Sequence, residues 1–539
     1  MTRIQLHNRM VTYLHSFLFL LVIAFLPSSL LLAQPFSNAG SSLTNYSNAT
    51  LQPTQDCADL SGLELDELVS ISSEMMPANG DIPSHCRVSG VLEPEIAFVV
   101  ELPANWNGRF YMIGNGGHAG DRLDSPNQVA GRGQALQLGF AAGSTNTGHY
   151  ADEEPGASFV MSNPQKAIDY AYRAVHLAAV TSKAIASLYY GQPVNYSYWN
   201  SCSNGGRQGL LEAQRYPGDF DGIVANAPWV DQTGFTIGAL WNQQALTQAP
   251  VTAGKMLLVA NRVMAKCDAL DGLADALIDD PRNCSIQVTE DVPICSVGID
   301  NDTCLTPAQA EAIQKVYDGP TDSNGRQIFP GFEPGSEMVT QGFNGEASIW
   351  MGTIVPTEPG AGAADFGLAN NTMRYLVFDP PRPDWDYREF DFNSDVELLD
   401  RWSRLADAKD INLSSFREQG GKLIMTYGWG DQILQPMMGV NYYENAVTAN
   451  GPNGEEFMRL FMIPGMSHCA GGIGPDQNDA ISAVIDWVET GTAPDRLIAK
   501  KIENGEVTRS RPLCPYPEVA RYDGSGSIDD AANFSCVAP

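Results

Sequence analysis

Two hydrophobic periods succeed one another along the chain, and the switches between them mark its elements. Residues 97–102 and 109–113 are short apolar runs of the strand type, joined by a turn holding Pro103, Asn105 and Gly108. Residues 168–190 carry the helical period and stop at Gly191-Gln192-Pro193. Residues 195–201 predict a Tyr- and Trp-rich strand, 205–216 a helix and 221–227 the next strand. Between about 229 and 411 neither period holds, and Pro, Gly and aromatic residues are dense, so this stretch reads as loop-rich. Strand patterns return at 422–427 and 457–463, followed by a helix at 480–489 with Val484 and Trp487 on its apolar face. Strand–helix alternation predicts an α/β sheet covered on both faces. The expected organisation is an α/β domain in two parts, 56–228 and 412–539, interrupted by an insertion at 229–411.

The first residues read differently. Arg3 and Arg9 precede an apolar run at 17–26, broken by Pro27 and resumed by Leu30-Leu31-Leu32, with Ala33 as a plausible last residue before cleavage. This is the pattern of a secretory signal over 1–33, an uncleaved membrane anchor being the alternative. Residues 34–55 are rich in Ser, Asn and Thr and read as a flexible lead-in. The predicted location is therefore secreted or periplasmic, with no membrane contact once the signal is removed.

Composition narrows the class. A net charge of −31 over 539 residues excludes a phosphate-backbone binder, which needs clustered Lys and Arg, so no nucleic-acid partner is expected. With 43% hydrophobic residues and only 18% charged, the chain can bury a large core. All ten cysteines follow the leader, an even number that in an exported chain points to disulfides. Local pairing is the economical scheme: Cys57–Cys86, Cys267–Cys284, Cys295–Cys304 and Cys514–Cys536. That leaves Cys202 and Cys469, far apart in sequence.

Ser203 lies between a predicted strand and a predicted helix, in Ser201-Cys202-Ser203-Asn204-Gly205-Gly206. This is the place of a nucleophile elbow, although Ser201 stands where the first Gly of G-x-S-x-G belongs; a plain turn of small residues is the alternative. A serine hydroxyl needs a base. Past the leader there are five histidines, and His468 follows a late strand, where α/β-hydrolases place theirs. His176 lies mid-helix and reads as structural. Asp431, just after the 422–427 strand, completes the order Ser203, Asp431, His468. Cys202 precedes the serine and Cys469 follows the histidine, so a bridge between them would tether nucleophile and base; two unrelated thiols are the alternative.

These residues together resemble the tannase and feruloyl esterase family of secreted α/β-hydrolases. The resemblance rests on Cys202-Ser203, Asp431 and His468-Cys469, and on Ser144-Thr145-Asn146-Thr147-Gly148-His149 and the stretches 202–216 and 374–392. It implies an α/β-hydrolase fold with a large inserted lid domain at 229–411 and a Cys202–Cys469 bridge. It also implies a serine carboxylic-ester hydrolase acting on small aromatic esters, free or polysaccharide-linked: feruloyl esters first, then galloyl esters or terephthalate monoesters. A carbohydrate-binding protein on an inactive hydrolase scaffold is the non-enzymatic alternative. The oxyanion hole is expected at the N–H of Asn204 and that of Gly117, with Gly116 next, in the loop Gly114-Asn115-Gly116-Gly117-His118. Asp268, Asp271 and Asp275 crowd an acidic loop without EF-hand spacing. The resemblance makes it a structural Ca2+ site in the lid, with the backbone oxygens of Leu273 and Leu277 completing the ligand set; the chemistry needs no cofactor.

Overall fold

Six strands predicted singly from the sequence join three unpredicted ones in one twisted mixed sheet. The computed structural model describes residues 35–338, 350–358 and 360–539; the signal assigned to 1–33 lies outside them. Nine strands among the described residues form the sheet: β1 (Leu68–Met76), β2 (His85–Leu92), β3 (Ile96–Pro103), β4 (Arg109–Met112), β5 (Ala141–Thr145), β6 (Tyr196–Cys202), β7 (Gly222–Asn226), β8 (Lys422–Gly428) and β9 (Met458–Ile463). Their order is β1-β2-β3-β5-β4-β6-β7-β8-β9. Pairing is antiparallel from β1 through β3 to β5 and parallel from β5 to β9.

Alternate strand residues feed opposite faces, as the two-residue period requires. Phe110, Met112, Ile223, Ala225, Leu423 and Met425 enter one core with the helix Ala174–Tyr190. Tyr111, Val224, Ile424 and Phe461 enter another with the helices Pro126–Gln137 and Ala480–Thr490. Gly222 must be glycine, because a Cβ there would lie 2.8 Å from the Tyr198 ring.

β7 and β8 pair in register, Ile223 opposite Leu423, although the insertion runs between them. That insertion is not loop-rich as its pattern predicts. It holds the helices Gln232–Gln248, Ala253–Cys267 and Pro307–Asp318. Most of Gln232–Gln248 is buried, on several sides at once, so it shows no apolar stripe. A separate core lies within the insertion, built from residues such as Met256, Val263, Ile313, Phe332 and Trp350. Phe329, Phe332 and Trp350 of the insertion are accordingly core.

Candidate active site

β6 ends at Cys202 and a helix starts at Asn204, leaving Ser203 in the turn at φ 63° and ψ −124°. A non-glycine residue holds this conformation only when its surroundings insist. Here the Ser203 N–H donates to Asn226 O at 3.0 Å, and its carbonyl accepts the N–H groups of Arg207 and Trp229, each at 3.0 Å. The helix start must also be free of side chains. A Cβ on Gly205 would lie 2.0 Å from Ser201 Oγ, and one on Gly206 would lie 2.7 Å from Asn226 O. Ser201 is thus tolerated in place of the motif's first glycine because Gly205 gives it room.

Asp431 follows β8 and His468 follows β9, so Ser203, Asp431 and His468 all sit at carboxyl ends of parallel strands, the usual site edge of an α/β sheet. His468 Nδ1 is 2.8 Å from Asp431 Oδ2. The buried Asp431 carboxylate also accepts the Ile433 and Leu434 N–H groups at 2.9 and 2.8 Å through Oδ1. The His468 N–H donates to Gln432 Oε1 at 3.0 Å. With Nδ1 donating to the carboxylate, Nε2 is left as the acceptor nitrogen. Gln432 was missed from the sequence, although it adjoins Asp431.

All ten cysteines are paired: Cys57–Cys86, Cys202–Cys469, Cys267–Cys284, Cys295–Cys304 and Cys514–Cys536. The Cys202 and Cys469 sulfurs and one ring nitrogen of His468 lie within 4.8 Å of one another. The bridge therefore packs directly beside the imidazole.

The glycine-rich loop follows β4. Gly117 has φ 46°, and the Ala119 N–H donates to Gly116 O at 2.7 Å, fixing the peptide that carries the Gly117 N–H. Among the described residues no acceptor takes the Gly117 or the Asn204 N–H. Both donors are therefore available to an anion. His118 is buried with Nε2 3.0 Å from Thr372 Oγ1, and burial, with Arg207 and His149 nearby, pushes it down to about 3. His176 is tied away from the site, to Asp219 at 2.6 Å and against the Tyr216 ring.

In the acidic loop, Asp268 Oδ1 accepts the Asp275 N–H at 3.2 Å, Asp271 Oδ1 accepts the Leu273 N–H at 2.8 Å, and Asp275 Oδ1 accepts the Leu277 N–H at 3.3 Å. Asp275 Oδ2 pairs with Arg511. Among the described residues these carboxylates are not gathered into one tight cluster. Beside them lies a carboxylate the sequence reading passed over. Among the described residues Asp279 Oδ1 is buried without a hydrogen-bond partner, and burial followed by repulsion from Asp271 pushes Asp279 up to about 7.

Known proteins resemble this chain over most of its length. Residues 81–537 match the family model described as tannase and feruloyl esterase. An uncharacterised esterase of Xanthomonas campestris is 34% identical over 90% of this chain and 92% of its own length. The mono(2-hydroxyethyl) terephthalate hydrolase of Piscinibacter sakaiensis is 32% identical over 85% of each chain. The crystal structure of feruloyl esterase B from Aspergillus oryzae superposes with a TM-score of 0.76 at 29% identity, covering 89% of this chain and 99% of that one.

Proposed function

This chain belongs to the tannase and feruloyl esterase family and is a carboxylic ester hydrolase, and from that premise we propose that it cleaves aromatic acid esters through an acyl-enzyme on Ser203. The observation that carries the reading is the 2.8 Å contact between His468 and Asp431, made on the same sheet edge as the strained Ser203. In this mechanism His468 Nε2 takes the Ser203 proton as Oγ attacks the acyl carbon. The carbonyl oxygen becomes an oxyanion held by the Gly117 and Asn204 N–H groups. The imidazolium, stabilised by Asp431, then protonates the departing alcohol. A water deprotonated by His468 releases the acid and restores Ser203.

The favoured acyl group is hydroxycinnamoyl, as in ferulate, with galloyl and terephthalate monoesters next; the alcohol side is free or polysaccharide-linked. Residues 229–411 act as the lid. The oxygen-only donors of Asp268, Asp271, Asp275, Leu273 and Leu277 suit a hard cation such as Ca2+, and the unpartnered Asp279 oxygen beside them supports that fit. The ion's role would be to neutralise and fasten the loop, with Asp275 shared with Arg511. Five disulfides support an oxidising compartment, outside the cell or in a periplasm; no described helix is long and apolar enough to cross a membrane.

The test is hydrolysis of methyl ferulate, methyl gallate and mono(2-hydroxyethyl) terephthalate by the purified chain, with Ser203→Ala alongside. Turnover of at least one ester, lost in the variant, is the expected result. Turnover that survives Ser203→Ala would overturn the mechanism, and a chain that cleaves none of the three would overturn the substrate class.

A further inference from the structure

Tyr170 is a fully buried side chain that touches both halves of the proposed oxyanion hole. It sits in a widened, π-type turn, Asp169–Arg173, just before the helix Ala174–Tyr190. Its hydroxyl lies 3.2 Å from Gly117 O and 3.2 Å from Asn204 Oδ1. It also receives Gln232 Nε2–H at 3.1 Å. The hydroxyl has one proton to give. Asn204 Oδ1 already accepts from Arg207 Nε at 2.8 Å, whereas Gly117 O has no other donor among the described residues. The proton therefore goes to Gly117 O, and burial holds the phenol in its neutral, donating form.

This matters because Gly116 and Gly117 bring no side chain that could hold the loop. A Cβ on Gly116 would meet nothing within 4 Å, and Gly117 sits at positive φ with only Leu368 nearby. The Ala119 N–H holds the peptide before Gly117, at Gly116 O. Tyr170 holds the peptide after it. The peptide that carries the Gly117 N–H and the one that follows it are thus both pinned, which fixes the torsions at Gly117 and with them the direction of that N–H. The pin is itself anchored in the insertion. Trp402 Nε1 donates to Gln232 Oε1 at 3.0 Å, and the Trp402 ring stacks parallel to Tyr170 at 6.3 Å.

We propose that Tyr170 is a positioning residue that presets the oxyanion hole and, through Gln232 and Trp402, ties its geometry to the inserted segment. The role rests on the esterase reading given above. Donors held in place before the reaction stabilise the oxyanion without reorganising, so their loosening costs transition-state binding alone.

The test is Tyr170→Phe, which keeps the ring and removes the hydroxyl, measured on whichever ester the wild-type chain cleaves best. The expected result is a roughly 10- to 100-fold loss in kcat with KM unchanged. An aryl boronic acid, which becomes tetrahedral on the serine, should lose affinity by the same factor. The free aromatic acid, bound as product, should not. If Tyr170→Phe no longer melts cooperatively, Gln232→Leu carries the test, with a smaller loss of the same kind. Unchanged kcat and boronate affinity, or a rise in KM alone, would overturn the role while leaving the esterase intact. A wild-type chain without esterase activity, or one whose activity survives Ser203→Ala, would overturn the reading beneath it and this role together.

Discussion

Cys202 and Cys469 are bonded to each other with their Cα atoms 5.9 Å apart, across 267 residues of sequence. One is the neighbour of Ser203 and the other the neighbour of His468, so a single covalent link joins the two strand ends that the proposed mechanism brings together. Closing so long a loop contributes roughly 5 kcal/mol in the chain-entropy model. The Cys202→Ala, Cys469→Ala double variant should therefore melt earlier. It should also lose turnover, by roughly 100-fold if the serine and histidine drift by about 1 Å. Thermal melts and kcat on the preferred ester check both. Unaltered kcat in a destabilised variant would make the bridge purely structural.

The role proposed for Asp431 is separable from its bulk. Asp431→Asn retains an oxygen for the Ile433 and Leu434 N–H groups but can no longer take the His468 Nδ1–H as a charged acceptor. Its kcat should fall by roughly 10⁴-fold with only a small change in melting temperature. A loss below tenfold would place the orienting carboxylate elsewhere.

His118 should set a pH dependence of stability. Burial holds it neutral, with a folded-state value lowered to about 3. The unfolded chain, at about 6.5, takes up the proton first on acidification, so stability present above that pH falls as the pH drops toward 3. By pH 5 the loss from this one group is about 2 kcal/mol. His149, lowered to about 4, acts in the same sense. Urea midpoints at pH 7 and pH 5 should diverge less in His118→Gln than in the wild type. Equal divergence in the two would contradict a neutral His118.

Calcium should act on stability before it acts on chemistry. Chelation should lower the melting temperature, and readdition should restore it. At about 100 times its dissociation constant the ion would contribute about 2.7 kcal/mol. Asp271→Ala should remove that response, whereas a response equal to the wild type's would place the ion at another site.

Reading these elements from sequence succeeds where one local rule decides. β7 and β8 are short apolar runs, and Ile223 and Leu423 are buried on both counts of neighbour and face. The candidate residues Ser203, Asp431 and His468 could be proposed because each follows a predicted strand at its carboxyl end. β1 is not legible, since none of its residues is buried and its apolar positions do not alternate, and β5 is hidden in Ala141-Ala142-Gly143-Ser144-Thr145. Gln232–Gln248 escapes because burial on several sides erases the helical stripe. Tyr170 reads as ordinary core: only the fold brings its hydroxyl to Gly117, 53 residues away. Asp279 reads as one more acid in an acidic loop until the structure shows its oxygen buried and unpartnered.

The central claim is that Ser203 is a nucleophile activated by His468. A fluorophosphonate probe, located by peptide mass mapping after incubation with the folded chain, tests it most directly. One adduct on the peptide carrying Ser203, absent in a folded His468→Ala variant, is the predicted result. No adduct, or an adduct elsewhere that His468→Ala leaves unchanged, would contradict it.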